Sequence, residues 1–494
     1  MTTNKYIILF FALIFFASCE DAIEITQPGR FSAEIAYSTV DDLELGLFGT
    51  YDELDITPQM AFTSNFTDEI SIGFDNGGQG VDIYGFIFNS TSSPASALWL
   101  NQYQAINAAT RLIEASALIE VSDDERDRFN NIVGQAYAIR AWSHFQLFSY
   151  FTPDYTNDGD LSVIAVDFVP ELDQELGRNT AGEIKALINR DMDQAEGLLT
   201  DDNTDRTFIN KDFIKALRAR FSAYIQDYGT AETMAADLTA RYPLATQISY
   251  FNMWLDDNSD EVIFKLERSF GDNYDRQQTD RDAGGWAGAI YAFVNATKDG
   301  GPYFEMSRSL FNLLDPNDVR YSSYIDTSSL IDPDYVTNDN RKFDDILVIR
   351  KYPGSEGNPL MNDLKIFRSS EMVLIRAEAA AANGDLGAAA NFIKLIRDAR
   401  FGGGQDTPSY GSAEEAFQDI MRERRVELAF EGHRYLDLKR LGQRANVSLD
   451  RDQFDCEFNG ACELANDDYR YTFPIPQIES NANSVIREQQ NPGY

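Results

Sequence analysis

The stretch Met372–Gly404, MVLIRAEAAAANGDLGAAANFIKLIRDARFGGG, decides the fold class. Two Ala-rich segments with apolar residues at helical spacing flank Asn383-Gly384-Asp385, a trio of the residue types that turns require. Small Ala side chains let two helices approach closely, as in tetratricopeptide-like units. Other segments repeat the arrangement loosely. Helices are expected at about 41–54, 97–119, 126–151 and 371–382. One capped at Thr180 carries the stripe Ile184, Leu187, Ile188, Ala195, and one capped at Asn210 carries Phe213, Leu217 and Phe221. Ser122 with Glu125, Thr180 with Glu183 and Ser412 with Glu415 have the spacing of capping boxes. The expected fold is mainly α, a tetratricopeptide-like helical repeat scaffold with an inserted loop-rich, small-β ligand-binding region.

The inserted regions stand out by composition. Residues 62–93 and 270–304 are rich in Gly, Asn, Asp and aromatics and lack helical periodicity. Short strands are expected at EVIFKLE (261–267) and DILVIRKY (345–352). Long loops of this kind in a compact protein are functional or disordered, and the aromatic content argues against disorder. A ring on a Gly-rich loop can face outward and stack on the C–H face of a sugar while polar neighbours take the hydroxyls. On that reasoning the candidate ligand-binding residues are Trp286, Tyr274, Tyr291 and Arg276 in one segment, with Asp75, Asn76 and Tyr84 in the other. Trp286, set among Gly284, Gly285 and Gly288, is favoured over Phe293 and Tyr303 of the same run. The competing reading is that these rings cap the scaffold as satellite core.

Charge and motif content exclude several functions. The 494 residues carry 80 Asp and Glu against 42 Lys and Arg, a formal net charge of −38. No Lys/Arg run offsets it, so nucleic acid is not an expected partner. There are two histidines, His144 and His433. His144 lies in an apolar helix and reads as packing, and His433 beside Arg434 reads as a local hydrogen-bonder. No metalloprotease, nucleophile-elbow or phosphate-loop pattern occurs, so no enzyme is read from the chain. No cofactor is expected, and the absence of EF-hand spacing leaves no calcium site that can be located among the Asp-rich loops.

The amino terminus, MTTNKYIILFFALIFFASCED, has an apolar run from Tyr6 to Ala17. Twelve helical residues span roughly 18 Å, well short of a ~30 Å hydrocarbon core, which suits an export signal and not a membrane span. Phe16-Ala17-Ser18-Cys19 resembles a lipobox with Phe in the usual Leu position, making Cys19 the lipidation candidate. A plain secretory signal is the rival. The remaining cysteines, Cys456 and Cys462, are separated by five residues. That spacing suits a small disulfide loop in an oxidising compartment, with zinc the rival despite an incomplete ligand set.

Several blocks together resemble the SusD/RagB family of Bacteroidetes surface nutrient-binding lipoproteins. They are STVDDLELGLFGTYDEL (38–54), QAYAIRAWSHFQLFSYF (135–151), the hairpin 375–400, RERRVELAFEGHRYLDLKRLG (422–442) and FPIPQIESNANSVIREQQNPGY (473–494). The resemblance implies a non-enzymatic glycan-binding lipoprotein of the outer membrane, on the cell surface of a Gram-negative bacterium. Its partners would be a SusC-like TonB-dependent transporter and an oligo- or polysaccharide, with lipid as the sole membrane contact. It also implies a signal peptide at 1–18, a lipidated tether at 19–30 and one domain at 31–494. The scaffold would occupy about 31–60, 95–245 and 365–445, and ligand-binding segments about 62–93 and 250–360. Glu423, Arg424, Arg425, Glu427, Glu431 and Arg434 are read as ion-paired scaffold along one helix. The alternative function is a helical-repeat surface protein that binds peptide or assembles the transporter complex. A surface glycoside hydrolase is the more distant option.

Overall fold

A computed structural model describes residues 37–171, 173–200, 204–272 and 285–494. The signal and lipidation expectations at 1–30, Cys19 included, lie outside the described residues, as do Tyr274 and Arg276. The chain is mainly α. In order it forms α1 (Val40–Asp52), α2 (Thr57–Phe66), β1 (Ile70–Ile72), α3 (Ser93–Ser116), α4 (Arg126–Phe151), α5 (Ala181–Leu198), α6 (Lys211–Tyr224), α7 (Tyr228–Arg241), β2 (Val262–Leu266), β3 (Phe304–Met306), β4 (Leu364–Arg368), α8 (Ser369–Ala382), α9 (Leu386–Phe401), α10 (Ala413–Glu427) and α11 (Arg434–Ala445), with short helices and hairpins between. From α3 to α11 each helix packs on the next in sequence, interrupted by the insertion between α7 and α8. No described helix is long and apolar enough to cross a membrane.

Local chemistry accounts for most boundaries. Thr180 and Glu183 close the capping box that starts α5, and Asp385 caps α9 by accepting from the Ala388 N–H at 2.9 Å. Ser412 caps α10, but the Glu415 carboxylate reaches back to the Gly411 N–H and not to the cap. Ser122 and Glu125 form a turn before α4, whose cap is Glu125 itself. A further box, Thr39 with Asp42, opens α1.

Two elements depart from expectation. The loop assigned to 62–93 begins inside α2, whose residues Met60, Phe62, Thr63, Ser64 and Phe66 are buried around most of the helix. Burial on all sides erases the amphipathic stripe that would reveal a helix. The strand expected at 345–352 makes only isolated bridges from Ile346, Val348 and Ile349. The long partner of β2 is β4, antiparallel, with all five β4 residues buried.

The charges expected along one helix between 423 and 434 fall instead on α10, α11 and the turn between them. There they form a buried ionic hub. The Glu427 carboxylate accepts from Arg400 at 2.8 and 3.0 Å, from Arg368 at 3.0 Å and from Arg320 at 3.3 Å. Arg400 and Arg368 also hold Glu261 beside β2, while Arg368 and Lys351 hold Glu431. Burial alone would raise the Glu427 carboxyl, but the three guanidiniums overcome it and hold it well below the ordinary carboxylate range.

Residues distant in sequence also close the amino-terminal part of the fold. Arg434 pairs with the buried Asp68 through two 2.8 Å hydrogen bonds. Arg451 donates to the carbonyls of Asn65, Phe66 and Thr67, the end of α2, and to Tyr84 and Ala461. A guanidinium there satisfies carbonyls that a helix C-terminus leaves unpaired. His144 is fully buried and is held down to about 3 by that burial. Its Nδ1–H donates to the Arg140 carbonyl at 3.0 Å, and its Nε2 accepts from the Val166 N–H at 3.3 Å.

Candidate functional site

The two Gly- and aromatic-rich segments meet. The Gly73 N–H donates to the Tyr303 carbonyl at 3.0 Å, and the Asn76 side-chain amide donates to the same carbonyl at 3.0 Å and to Gln79 at 2.9 Å. Residues 291–303 form a narrow hairpin, closed by Phe293 N–H to Gly301 at 3.0 Å and Val294 N–H to Gly300 at 2.8 Å. Its base rests on β3, which pairs with β1.

Phe293 and Val294, adjacent on one arm of this hairpin, are 55% and 54% exposed. The Phe293 ring lies 6.2 Å from the half-buried Tyr303 ring, tilted by 57°. Asp75, exposed, sits against the same spot: a Cβ on Gly301 would lie 3.4 Å from its carboxylate and 3.5 Å from the Phe293 Cβ. Gly301 has φ of +72°, a conformation that suits glycine. The product is a solvent-facing pair of rings with a carboxylate beside it. Rings so placed offer flat apolar faces, and the carboxylate accepts from hydroxyls.

Of the residues expected to bind ligand, Asp75 alone among those described is exposed here. Asn76 is buried, with its amide committed to the loop. Tyr84 is fully buried, its hydroxyl donating to the Asp455 carbonyl and its ring lying 3.7 Å beneath the Arg451 guanidinium. Tyr291 is buried against Phe430 at 5.4 Å, with its hydroxyl 3.1 Å from that of Ser64.

Trp286 does not face outward. It is 6% exposed, packs with Ala292, Ala296, Leu360 and Met361 under the hairpin, and donates its indole N–H to the Ser269 carbonyl. Its flanking Gly288 serves close backbone packing: a Cβ there would come within 2.5 Å of the Tyr352 carbonyl and 2.7 Å of the Leu360 Cα. Trp286→Ala is therefore expected to cost roughly 3 kcal/mol of stability by opening a cavity, seen as a lower urea midpoint.

The loop at 71–74 also lines a cleft of about 430 Å³, whose walls include Glu305, Arg308, Tyr335, Arg341 and Phe454. Arg308 stacks on Tyr335 at 4.0 Å and pairs with Asp345 at 3.0 Å, and Arg341 stacks on Phe454 at 4.2 Å. Cys456 and Cys462, joined by a disulfide with Cα atoms 5.2 Å apart, hold the segment that supplies Phe454. Burial pushes the Glu305 carboxyl up to about 7, against the N–H groups of Phe74 and Leu347, and pushes Asp455 up to about 8. Tyr335 and Phe454 carry no local compositional signal, which is why sequence reasoning passed over them. Among the described residues no cluster of three or more His, Cys, Asp or Glu is arranged to hold a metal ion.

The raised Glu305 carboxyl has a measurable consequence. The folded protein keeps it protonated to about 7, whereas the reference value is 4.5. Its contribution thus favours the fold in acid and is lost as pH rises between those values. Glu305→Gln keeps a neutral group, so the variant should gain stability relative to the parent as pH is raised from about 5 to about 8. An unchanged difference in urea midpoint between the two pH values would contradict this.

A mainly α scaffold with loop-rich insertions between its helices defines the class of fold. Residues 317–494 match the SusD family model, and residues 55–222 match a second model described as starch-binding, associating with outer membrane. The chain is a SusD-like protein. It is 24% identical to a SusD-like protein of Formosa agariphila, with 99% of this chain and all of the relative covered. A solved SusD superfamily protein from Bacteroides thetaiotaomicron is 26% identical and aligns over 92% of this chain and all of its own, with a TM-score of 0.75. Surface glycan-binding protein A from Bacteroides fluxus aligns over the same shares at 20% identity, with a TM-score of 0.71. The platform hairpin at 291–303 falls between the two matched segments.

Proposed function

We propose that this protein is a cell-surface glycan-binding lipoprotein of the outer membrane. It captures an oligo- or polysaccharide and passes it to a partner TonB-dependent transporter. The observation that carries the reading is the exposed Phe293 ring, backed by the half-buried Tyr303 and with Asp75 beside it, built where the two insertions meet. The family model described as starch-binding and the glycan-binding protein from Bacteroides fluxus support carbohydrate as the ligand class. Capture works by stacking on the rings and by hydroxyl donation to Asp75, without bond cleavage. Tethering through Cys19 would keep the captured chain beside the transporter.

Affinity electrophoresis against a panel of neutral and acidic polysaccharides tests this. Retardation by at least one polysaccharide, with no shortening of the polymer, is the expected result. Product release would instead indicate a hydrolase, and failure of every glycan to retard the protein would reject carbohydrate capture.

A further inference from the structure

The helical scaffold carries a second cavity that shares no lining residue with the platform or its cleft. It is about 740 Å³ in volume and lies where the ends of α4 and α6 meet α11 and the segment 466–472. That volume is ample for one or two sugar rings.

Beneath its floor lie the buried Tyr155, Tyr224 and Tyr471, and Tyr469, 44% exposed, is the ring it leaves open to solvent. Lys439 reaches the same floor. Its Nζ lies 4.7 Å over the Tyr155 ring and donates to the Ser149 and Thr152 carbonyls at 3.0 and 2.8 Å. Lys439 has no carboxylate within ion-pair distance among the described residues, and burial holds its amine well below the ordinary lysine range.

The lining carries both signs. Lys439, Arg440 and Arg444 face Asp154, Asp467 and Asp468. Arg440 is already committed to Glu378 and Asp437, and Asp468 to Arg470. A phosphate or polyanion gains nothing from such a set, and an apolar ligand would strand its polar groups. A neutral polyhydroxyl compound matches it, because a sugar ring can lie on Tyr469 while hydroxyls both accept from and donate to the polar lining.

We propose that this cavity is a second carbohydrate site, which takes a neutral oligosaccharide independently of the platform. It rests on the carbohydrate reading above and extends it. Two sites on one chain let a polymer engage twice, so retention of a long glycan exceeds that of a short one through effective concentration.

Titration calorimetry with malto-, laminari-, manno- and xylo-oligosaccharides tests the proposal on the full soluble chain. The expected result is two sites for at least one series. Tyr469→Ala should weaken one of them about tenfold. Gln443→Trp, which fills the exposed mouth without touching the floor, should abolish the same site, and Phe293→Ala should affect only the other. A stoichiometry of one that both cavity variants leave unchanged overturns the second site and leaves platform capture standing. Binding of no oligosaccharide by the parent, together with no retardation by polysaccharide, overturns both.

Discussion

Phe293→Ala is expected to weaken polysaccharide retention by roughly tenfold, about 1.4 kcal/mol, with no change in thermal midpoint. The ring is more than half exposed and touches the fold through Tyr303, so truncating it removes stacking surface without leaving a cavity. Asp75→Asn should produce a smaller loss, because an amide can still accept from a hydroxyl. Trp286→Ala should show the opposite pattern, a lower stability with any binding loss following from distortion of the hairpin above it. If Phe293→Ala binds like the parent while Trp286→Ala loses binding at full stability, the platform has been assigned to the wrong ring.

Glu427→Ala should be among the most damaging single changes in the scaffold, at about 3–5 kcal/mol. It leaves Arg400, Arg368 and Arg320 sharing Glu261, Glu431, Glu423 and Asp318 with one carboxylate fewer, inside a region closed to water. The penalty comes from buried guanidinium N–H groups, Arg400 Nε among them, left without their acceptor, and not from the intrinsic strength of one ion pair. The carboxyl is held low by its guanidiniums, so its contribution is full at neutral pH and is lost progressively as pH falls below the reference value of 4.5. A urea midpoint for Glu427→Ala close to the parent at neutral pH would show that the hub repacks. The corresponding loss at an exposed pair such as Lys215–Asp237 should be hard to measure.

What could be read from sequence follows from which interactions are local. Helices α5 and α9 show in their spacing because one face is buried and the other is not. The turn at Asn383–Asp385 shows because its residues have few other uses. Helix α2 and strand β4 do not, since each is buried too completely to leave a stripe or an alternation. The alternating charges of 423–434 announce ion pairing, but not that the partners lie at 68, 320, 368 and 400.

At the site, composition located both loops and could not say which ring faces water. Glycines beside Trp286 admit a neighbouring backbone as readily as a sugar, and burial decided for the backbone. Phe293 won exposure by its place on a two-residue-wide arm, which depends on pairing with Gly300 and Gly301 across the hairpin.

The reach of Arg451 back to Asn65, Phe66 and Thr67 bears on the order in which the molecule can assemble. A chain that emerges amino terminus first exposes α2 and the Asp75 loop long before residues 434–451 exist to close them. Asp68 must wait across 366 positions for Arg434, and contacts of such separation are slow to form because a large loop has to be ordered first. Recognition loop and carboxy-terminal region should therefore mature in one late step. The Asp75 loop would stay unsettled until nearly the whole chain is available, which keeps the Phe293 platform from appearing on an incomplete protein.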